Sequence, residues 1–394
     1  MKKLMMAAVS AIALTTGAAQ AEDIKIGVFL GFTGPIESIV ANMGPSAELA
    51  IKEVNDSGKL LGGSTVTAVR GDTTCIDAAA ATAAAERLIT SDGVKAIVGG
   101  DCSGVTTAAL QNVAVPNGIV MISPSATSPA LSTVEDNGLF FRTAPSDARQ
   151  GEIVADILTE KGVSSVAITY TNNDYGKGLA DSIDTNFKKA GGTVTINAPH
   201  EDGKGDYTAE VGALAAAGGE VLVVAGYLDQ GGKGIIQAAL DTGAFDIFYL
   251  PDGMVGDSIA EALGSGLNGS YGANPGTDSA GAATFSKMID AEGFKAEAFA
   301  AESYDAAALI MLAMQAAGSS DSSALKDKVL DVANAPGEEI YPGELGKALD
   351  ILAGGGDIDY VGASAVELIG PGESAGNYRQ VEFIDGKISV VGYR

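Results

Sequence analysis

The stretch KAIVGGDCSGVTTAALQNVAVPNGIVMIS, residues 95–123, decides the fold class. An apolar run at 96–98 ends in the turn Gly99-Gly100. Alanine and valine then recur at three- and four-residue spacing over 104–114, and a second apolar run occupies 119–122. These periods predict a strand, a helix and a second strand. Strand-helix-strand repetition predicts a parallel sheet with helices on both faces.

The same alternation extends in both directions along the chain. Further strands are predicted at 24–30, 66–69, 166–170, 194–197, 221–225 and 247–250, and helices at 45–55, 77–90, 148–161, 178–190, 208–217, 232–242 and 299–317. The tail 381–391 predicts strands around the turn Asp385-Gly386. A new series of alternating helices and strands begins after Arg142, which indicates a second α/β unit similar to the first.

The length of 394 residues also favours two domains over one core. The helices after Ser279 lack enough strands for a third sheet, so we expect them to complete the first lobe and the tail to cross back to the second. The predicted fold is α/β, with two doubly wound parallel-sheet lobes joined by a three-crossing hinge. The lobes are 22–143 plus 274–358, and 144–273 plus 359–394.

The N-terminus has the pattern of a cleaved secretory signal peptide over residues 1–21. Lys2 and Lys3 precede an apolar run at 4–14, and small residues end in Ala19-Gln20-Ala21. The run is shorter than the roughly 20 residues that a membrane anchor needs. Glu22 follows where a lipoprotein needs cysteine. We therefore expect a soluble periplasmic protein without direct membrane anchoring.

The net charge and the cysteine content limit the kinds of partner and the cellular compartment that fit this protein. The formal net charge of −26 opposes binding to nucleic acid or to anionic lipid surfaces. Cys75 and Cys102 are the two cysteines of the chain, and export favours one disulfide between them. The alternative is two separate buried thiols.

Ligands of open parallel sheets bind beyond the carboxyl ends of the strands. In the first unit this places Ser103 at the start of a helix, where its hydroxyl and nearby amides suit a carboxylate. A plain helix N-cap is the alternative. Thr127 lies in the hydroxyl-rich loop at 123–129, which otherwise reads as an ordinary Ser/Pro turn.

The second unit places aromatic and acidic residues at the same edge. Tyr175 and Tyr227 each follow a predicted strand, and Asp252 follows a third within Leu250-Pro251-Asp252-Gly253. The Asp252 carboxylate could hold an ammonium group. An acidic residue before glycine is, however, also a common turn former.

From Asp23 to about Thr277, and more loosely to Arg394, the chain resembles the branched-chain amino-acid-binding proteins of bacterial ABC importers. The resemblance is carried by Phe32-Thr33-Gly34-Pro35, Cys75, Cys102-Ser103, Ile122-Ser123-Pro124-Ser125-Ala126-Thr127, Phe141-Arg142-Thr143, Asp174-Tyr175-Gly176 and Leu250-Pro251-Asp252-Gly253. Each motif is weak alone, but their order and spacing are fairly specific.

The resemblance implies a type I periplasmic binding protein fold, a Cys75–Cys102 disulfide and capture of an amino-acid-like solute by hinge closure. The implied ligand-binding residues are Ser103, Ser125, Ala126 and Thr127 around the carboxylate, Asp252 at the α-amino group, and Tyr175, Tyr227 and Phe299 as walls. The implied partner is the membrane permease of an ABC importer, and we expect a monomer with no cofactor.

Two departures from the family bear on the solute. Asp252 stands where the family usually has glutamate, and Glu37 and Ser38 occupy the first loop where an aromatic residue often follows. A Glu37 carboxylate near the solute side chain would favour a polar or cationic ligand over leucine. The alternative is a solvent-facing Glu37.

Other functions find less support in the sequence. His200 is the single histidine of the sequence, and it lies far from any serine or cysteine motif. The residues needed for a catalytic triad or a histidine-based metal site are therefore missing, and we expect neither catalytic nor metal-binding residues. No Gly-x-Gly-x-x-Gly motif follows the first predicted strand, and the sequence has no Gly-Lys-Ser/Thr phosphate-binding loop, so nucleotide binding is unsupported. No EF-hand spacing supports a calcium-binding surface protein. A ligand sensor or a binder of amides or other non-amino-acid solutes would share the fold and stays open.

Overall fold

In a computed structural model, residues 21–394 are described, and the chain folds as two α/β lobes. The predicted signal peptide therefore lies almost wholly outside the described residues. The first lobe begins with β1 (Asp23–Leu30), α1 (Glu37–Ser57), β2 (Thr65–Asp72), α2 (Ala78–Glu86), β3 (Ala96–Gly99), α3 (Ser103–Ala109), α4 (Val115–Asn117), β4 (Val120–Ser123) and β5 (Phe140–Pro145). Residues 87–92 and 110–114 continue α2 and α3 as π-helical turns.

The second lobe follows the first crossing of the hinge. It contains α5 (Asp147–Glu160), β6 (Ser165–Thr171), α6 (Asp174–Lys189), β7 (Thr193–His200), α7 (Thr208–Ala217), β8 (Val221–Ala225), α8 (Gly231–Thr242), β9 (Phe248–Leu250), α9 (Asp257–Leu263) and β10 (Tyr271–Pro275). The buried, β-branched runs of β6 and β8 explain why these segments form interior strands with helices on both faces.

The chain then returns to the first lobe with α10 (Ala280–Glu292), α11 (Ala300–Ala317), α12 (Ser322–Leu325), α13 (Val329–Ala333), β11 (Glu338–Ile340), α14 (Leu345–Ala353), β12 (Ile358–Tyr360), β13 (Leu368–Ile369) and β14 (Glu373–Ser374). It ends in the second lobe with β15 (Tyr378–Ile384) and β16 (Lys387–Tyr393). Helix α11 is buried along most of its length, and its many alanines allow close packing against α1.

Each lobe holds a seven-stranded sheet, and the two sheets repeat one strand order. The first is β13-β14-β5-β4-β3-β1-β2 and the second is β16-β15-β10-β9-β8-β6-β7. In each, five consecutive parallel strands have the order 2-1-3-4-5, and two tail strands extend the sheet. The predicted fold class is therefore confirmed. The short parallel pair β11-β12 lies outside both sheets.

Two details of the prediction are wrong. The predicted boundary at residue 358, where the chain passes from the first lobe to the second for the last time, is too early. Strands β13 and β14 still belong to the first sheet, so this crossing lies between Ser374 and Tyr378. Strands of two residues carry too little periodicity to be recognised. Helix α1 begins at Glu37 and not at Pro45, since the helix continues through Pro45 without that residue's amide hydrogen bond.

Candidate functional site

A small cavity lies between the closed lobes, at the carboxyl ends of the parallel strands. Its lining residues come from both sides. The first-lobe residues are Ile36, Ile39, Asp101, Cys102, Ser103, Ser125 and Phe299, and the second-lobe residues are Tyr175, Tyr227, Asp252 and Gly253. The structure thus brings together six of the eight predicted site residues, while Ala126 and Thr127 lie buried outside the lining.

The first-lobe wall is built on two adjacent turns. Ser103 begins α3, and its hydroxyl accepts a hydrogen bond of 3.0 Å from the Ser128 amide, which leaves its proton free to donate. The Ser125 hydroxyl donates to the carbonyl of Asp101 at 3.1 Å. The predicted Cys75–Cys102 disulfide is confirmed and joins the loop after β2 to the residue before Ser103.

The buried side chain of Arg142 holds the loop that carries Thr127. Its guanidinium donates to the carbonyls of Ala126 at 2.9 Å and Ser128 at 3.0 Å and pairs with Glu373. Because a trans peptide directs its N–H opposite to its C=O, the Thr127 amide points away from Arg142. Among the described residues, neither this amide nor the Thr127 hydroxyl has a hydrogen-bond partner.

The second-lobe wall consists of two stacked tyrosines and a carboxylate. The rings of Tyr175 and Tyr227 are 5.2 Å apart between centroids and 14° from parallel. The Tyr175 hydroxyl donates to Asp252 Oδ1 at 2.6 Å, and the Gly253 amide donates to the same oxygen at 2.7 Å. Residue 253 must be glycine here, since a Cβ would lie 2.7 Å from both the Gly226 carbonyl and the Tyr175 hydroxyl.

The charge of this wall is negative and only partly compensated. Asp252 Oδ2 is buried, and no group in residues 21–394 forms a hydrogen bond with it. Burial, opposed by the hydrogen bond from Tyr175, raises the pKa of Asp252. Burial and the nearby carboxylates raise the pKa of the Tyr175 hydroxyl well above its usual value, so Tyr175 stays neutral. No lysine or arginine in the described part of the chain lines the cavity.

A second buried carboxylate, Asp147, lies close to Asp252 and was missed in the sequence. It follows the first crossing, and its amide donates to the Thr127 carbonyl at 2.8 Å. Both carboxylate oxygens lack a partner within the described residues, as do both amide atoms of Gln150. Burial and the charge of Asp252 raise the pKa of Asp147 well above its usual value. A bound cation would relieve this repulsion.

The apolar wall of the cavity includes two isoleucines that the sequence does not predict as site residues. Glu37 is exposed and does not line the cavity, whereas its neighbours Ile36 and Ile39 do. The structure therefore agrees with the alternative of a solvent-facing Glu37 and not with a Glu37 carboxylate beside the solute side chain. Phe299 completes this wall in a left-handed conformation (φ 62°), and such backbone strain clusters at functional sites.

Over 21–394, no group of three or more histidine, cysteine, aspartate or glutamate side chains is arranged to hold a metal ion. In the same region no helix combines the length and apolar character needed to cross a bilayer.

Two lobes of doubly wound topology around a closed, mixed-polarity cleft define the class of two-lobed solute-binding proteins. Comparison with known proteins specifies the family. The family model described as periplasmic binding protein matches residues 23–336, and the chain belongs to this family.

Individual relatives agree with this assignment. The chain is 31% identical over 339 residues to the Leu/Ile/Val-binding protein homolog 1 of Brucella abortus, covering 83% of this chain and 89% of the relative. The structure of a branched-chain amino acid transporter substrate binding protein from Streptococcus pneumoniae, in complex with isoleucine, is similar with a TM-score of 0.77, 23% identity and coverage of 94% and 99%.

The fold also occurs with other ligands. A solute binding protein of an ABC transporter from R. palustris, in complex with benzoate, is similar with a TM-score of 0.74, 19% identity and coverage of 94% and 96%. At these identities the solved structures establish the shared fold. The choice of solute must be argued from the side chains of this cavity.

Proposed function

We propose that this protein is the periplasmic solute-binding component of an ABC importer and that it captures a small aliphatic α-amino acid between its lobes. One observation carries the proposal: the cavity has the Ser103 hydroxyl, with its proton free to donate, on one wall, a carboxylate oxygen of Asp252 that no described residue pairs on the opposite wall, and aliphatic side chains beside them. A zwitterion with an apolar side chain matches all three.

The ligand carboxylate docks on the first lobe, where the Ser103 hydroxyl donates from the cavity wall and Thr127 adds a hydroxyl that no described residue pairs. Ser125 joins them as a donor when its hydroxyl exchanges the Asp101 carbonyl for the ligand. The second lobe then closes, and Asp252 pairs with the ammonium group while the Tyr175 and Tyr227 rings exclude water. Burial of both charges is tolerable because each is hydrogen-bonded or paired. Ile36, Ile39 and Phe299 surround the side chain, which favours aliphatic over cationic solutes.

The proposed cycle involves binding and release without covalent chemistry. The signal peptide at residues 1–21 directs export to the periplasm, and the protein acts there as an unanchored monomer. The closed form is the one that the permease recognises, since solute binding shifts the population of lobes toward closure.

A thermal-shift screen of the solute-stripped protein tests the proposal. The panel contains L-leucine, L-isoleucine, L-valine, leucinamide, isocaproate, which is leucine without its amino group, and benzoate. An aliphatic amino acid at a thousandfold excess over Kd should raise Tm by roughly 5 °C or more. Stabilisation by isocaproate or benzoate with no effect of the amino acids would refute the zwitterion assignment.

A further inference from the structure

The first turn of α1 lacks a capping residue of its own. The residue before the helix is Ile36, whose side chain cannot accept a hydrogen bond, and no side-chain cap is formed from within this segment. The first amides of a helix need acceptors from outside the helix. An isoleucine at this position therefore leaves the turn dependent on a group from elsewhere.

That group comes from the other lobe. Asp229 follows β8, and its Oδ2 accepts the Ser38 amide at 3.0 Å. The Ser38 hydroxyl lies 2.9 and 2.7 Å from the two carboxylate oxygens, and Ser258 donates to Oδ1 at 2.9 Å. The Asp229 amide donates to the Pro35 carbonyl at 3.0 Å. The second lobe thus caps a helix of the first.

The capped turn is also part of the cavity wall, since Ile36 and Ile39 both line the cavity and Asp229 does not. We propose that Asp229 is a positioning residue for solute binding: it caps α1 only when the lobes are closed and thereby fixes Ile36 and Ile39 against the solute. The inference rests on the proposed function for its ligand, and it adds a determinant of affinity outside the cavity.

The physical basis is a coupling between closure and helix capping. A carboxylate at a helix N-terminus satisfies an unpaired amide and interacts favourably with the helix dipole. In the open form this contact is replaced by water, so its free energy contributes only to the closed state. A cap of ordinary strength then changes the apparent Kd by roughly tenfold.

Asp229→Ala is the test, with Asp246→Ala as the matched control, because Asp246 is an exposed aspartate of the same lobe. Calorimetry with L-isoleucine should give a Kd raised about tenfold for D229A and unchanged for D246A. The solute-free Tm of D229A should equal that of the wild type, while its solute-induced rise in Tm should be smaller. Ser38→Ala should act non-additively with D229A.

Several results would overturn the inference. An unchanged Kd in D229A denies the role, and an equal loss of Tm with and without solute marks Asp229 as a merely structural residue. If the wild type itself ignores L-isoleucine, the proposed function fails separately. The cap is then tested with whichever solute of the thermal-shift panel stabilises the wild type: the Kd of that solute must rise about tenfold in D229A and stay unchanged in D246A, and equal values reject the cap.

Discussion

The first lobe and the second lobe share the strand order 2-1-3-4-5, yet they bring different chemistry to the cleft between them. The first contributes hydroxyls and aliphatic groups, and its one carboxylate there, Asp101, is already bound by the Gly31 amide and the Thr73 hydroxyl, each at 2.7 Å. The second contributes Asp252, one oxygen of which forms no hydrogen bond within the part of the chain that the structure describes. Neither wall alone neutralises a zwitterion.

This difference shows that the fold fixes where a solute binds, while the loops after equivalent strands fix which charge each wall receives. Capture of a zwitterion then requires closure, because the two halves of its recognition lie on different lobes. Substitutions on one lobe at a time separate the contributions of the two lobes to solute affinity.

Removal of the second-lobe charge should have the largest effect. Asp252→Ala leaves a buried ammonium without a counter-charge, and we expect the Kd for an aliphatic amino acid to rise about a thousandfold, or roughly 4 kcal/mol. Isothermal titration calorimetry measures this change. Asp252→Asn, which keeps the shape of the side chain, should show most of the same loss. Wild-type affinity in D252A would remove Asp252 from the site.

Removal of the first-lobe donors should follow closely. Ser103→Ala combined with Thr127→Ala deletes two hydroxyls proposed to bind the solute carboxylate, and the Kd should rise roughly three-hundredfold, or about 3.4 kcal/mol. Thr107→Ala, one turn further along α3, is the control and should bind normally. Tight binding by the double variant would move the carboxylate site elsewhere.

Most strands could be predicted from the sequence, because short apolar runs that end at glycine are typical of buried strands. The sequence placed Ser103 and Asp252 at strand ends for the same reason. Three features could not be predicted from the sequence: the short strands β13 and β14, the buried Asp147, and the helix cap that Asp229 provides. Their partners are set by the crossings and by closure of the lobes, and no local periodicity records a contact between residues almost 200 positions apart, such as Ser38 and Asp229.

The two lobes should also respond to pH in opposite directions. In the first lobe, burial raises the pKa of Glu302 to about 7, so its contribution to stability is fully present below pH 4.5 and is lost as the pH rises through 7. In the second lobe, burial lowers the pKa of His200 to about 4, so its contribution is present above pH 6.5 and is lost as the pH falls through 4.

Denaturant unfolding between pH 4 and pH 8 measures both effects. Glu302→Gln should stabilise the protein by up to about 3 kcal/mol at pH 8 and by little at pH 4.5. His200→Gln should reduce the loss of stability between pH 6.5 and pH 4 by a similar or smaller amount. A pH-independent effect of either substitution would show that packing, and not ionisation, determines the outcome.

The smallest effect should come from the Tyr227 hydroxyl. It accepts one long hydrogen bond of 3.3 Å from Asn173, while the ring stacks on Tyr175. Tyr227→Phe keeps the stacked ring, and the Kd should change by less than about threefold. Calorimetry of this variant beside Tyr227→Ala separates ring from hydroxyl. A tenfold or greater loss in Tyr227→Phe would assign the hydroxyl a direct contact with the solute.

The most direct test of a zwitterion shared between the lobes is one calorimetric matrix. The affinities of L-leucine, leucinamide and isocaproate are measured for the wild type, D252A and the double variant Ser103→Ala/Thr127→Ala. We expect D252A to weaken binding of L-leucine and leucinamide and to leave the affinity for isocaproate unchanged or higher. We expect the double variant to weaken binding of L-leucine and isocaproate but not of leucinamide. Equal losses for all three ligands in both variants would contradict the division of charge between the lobes.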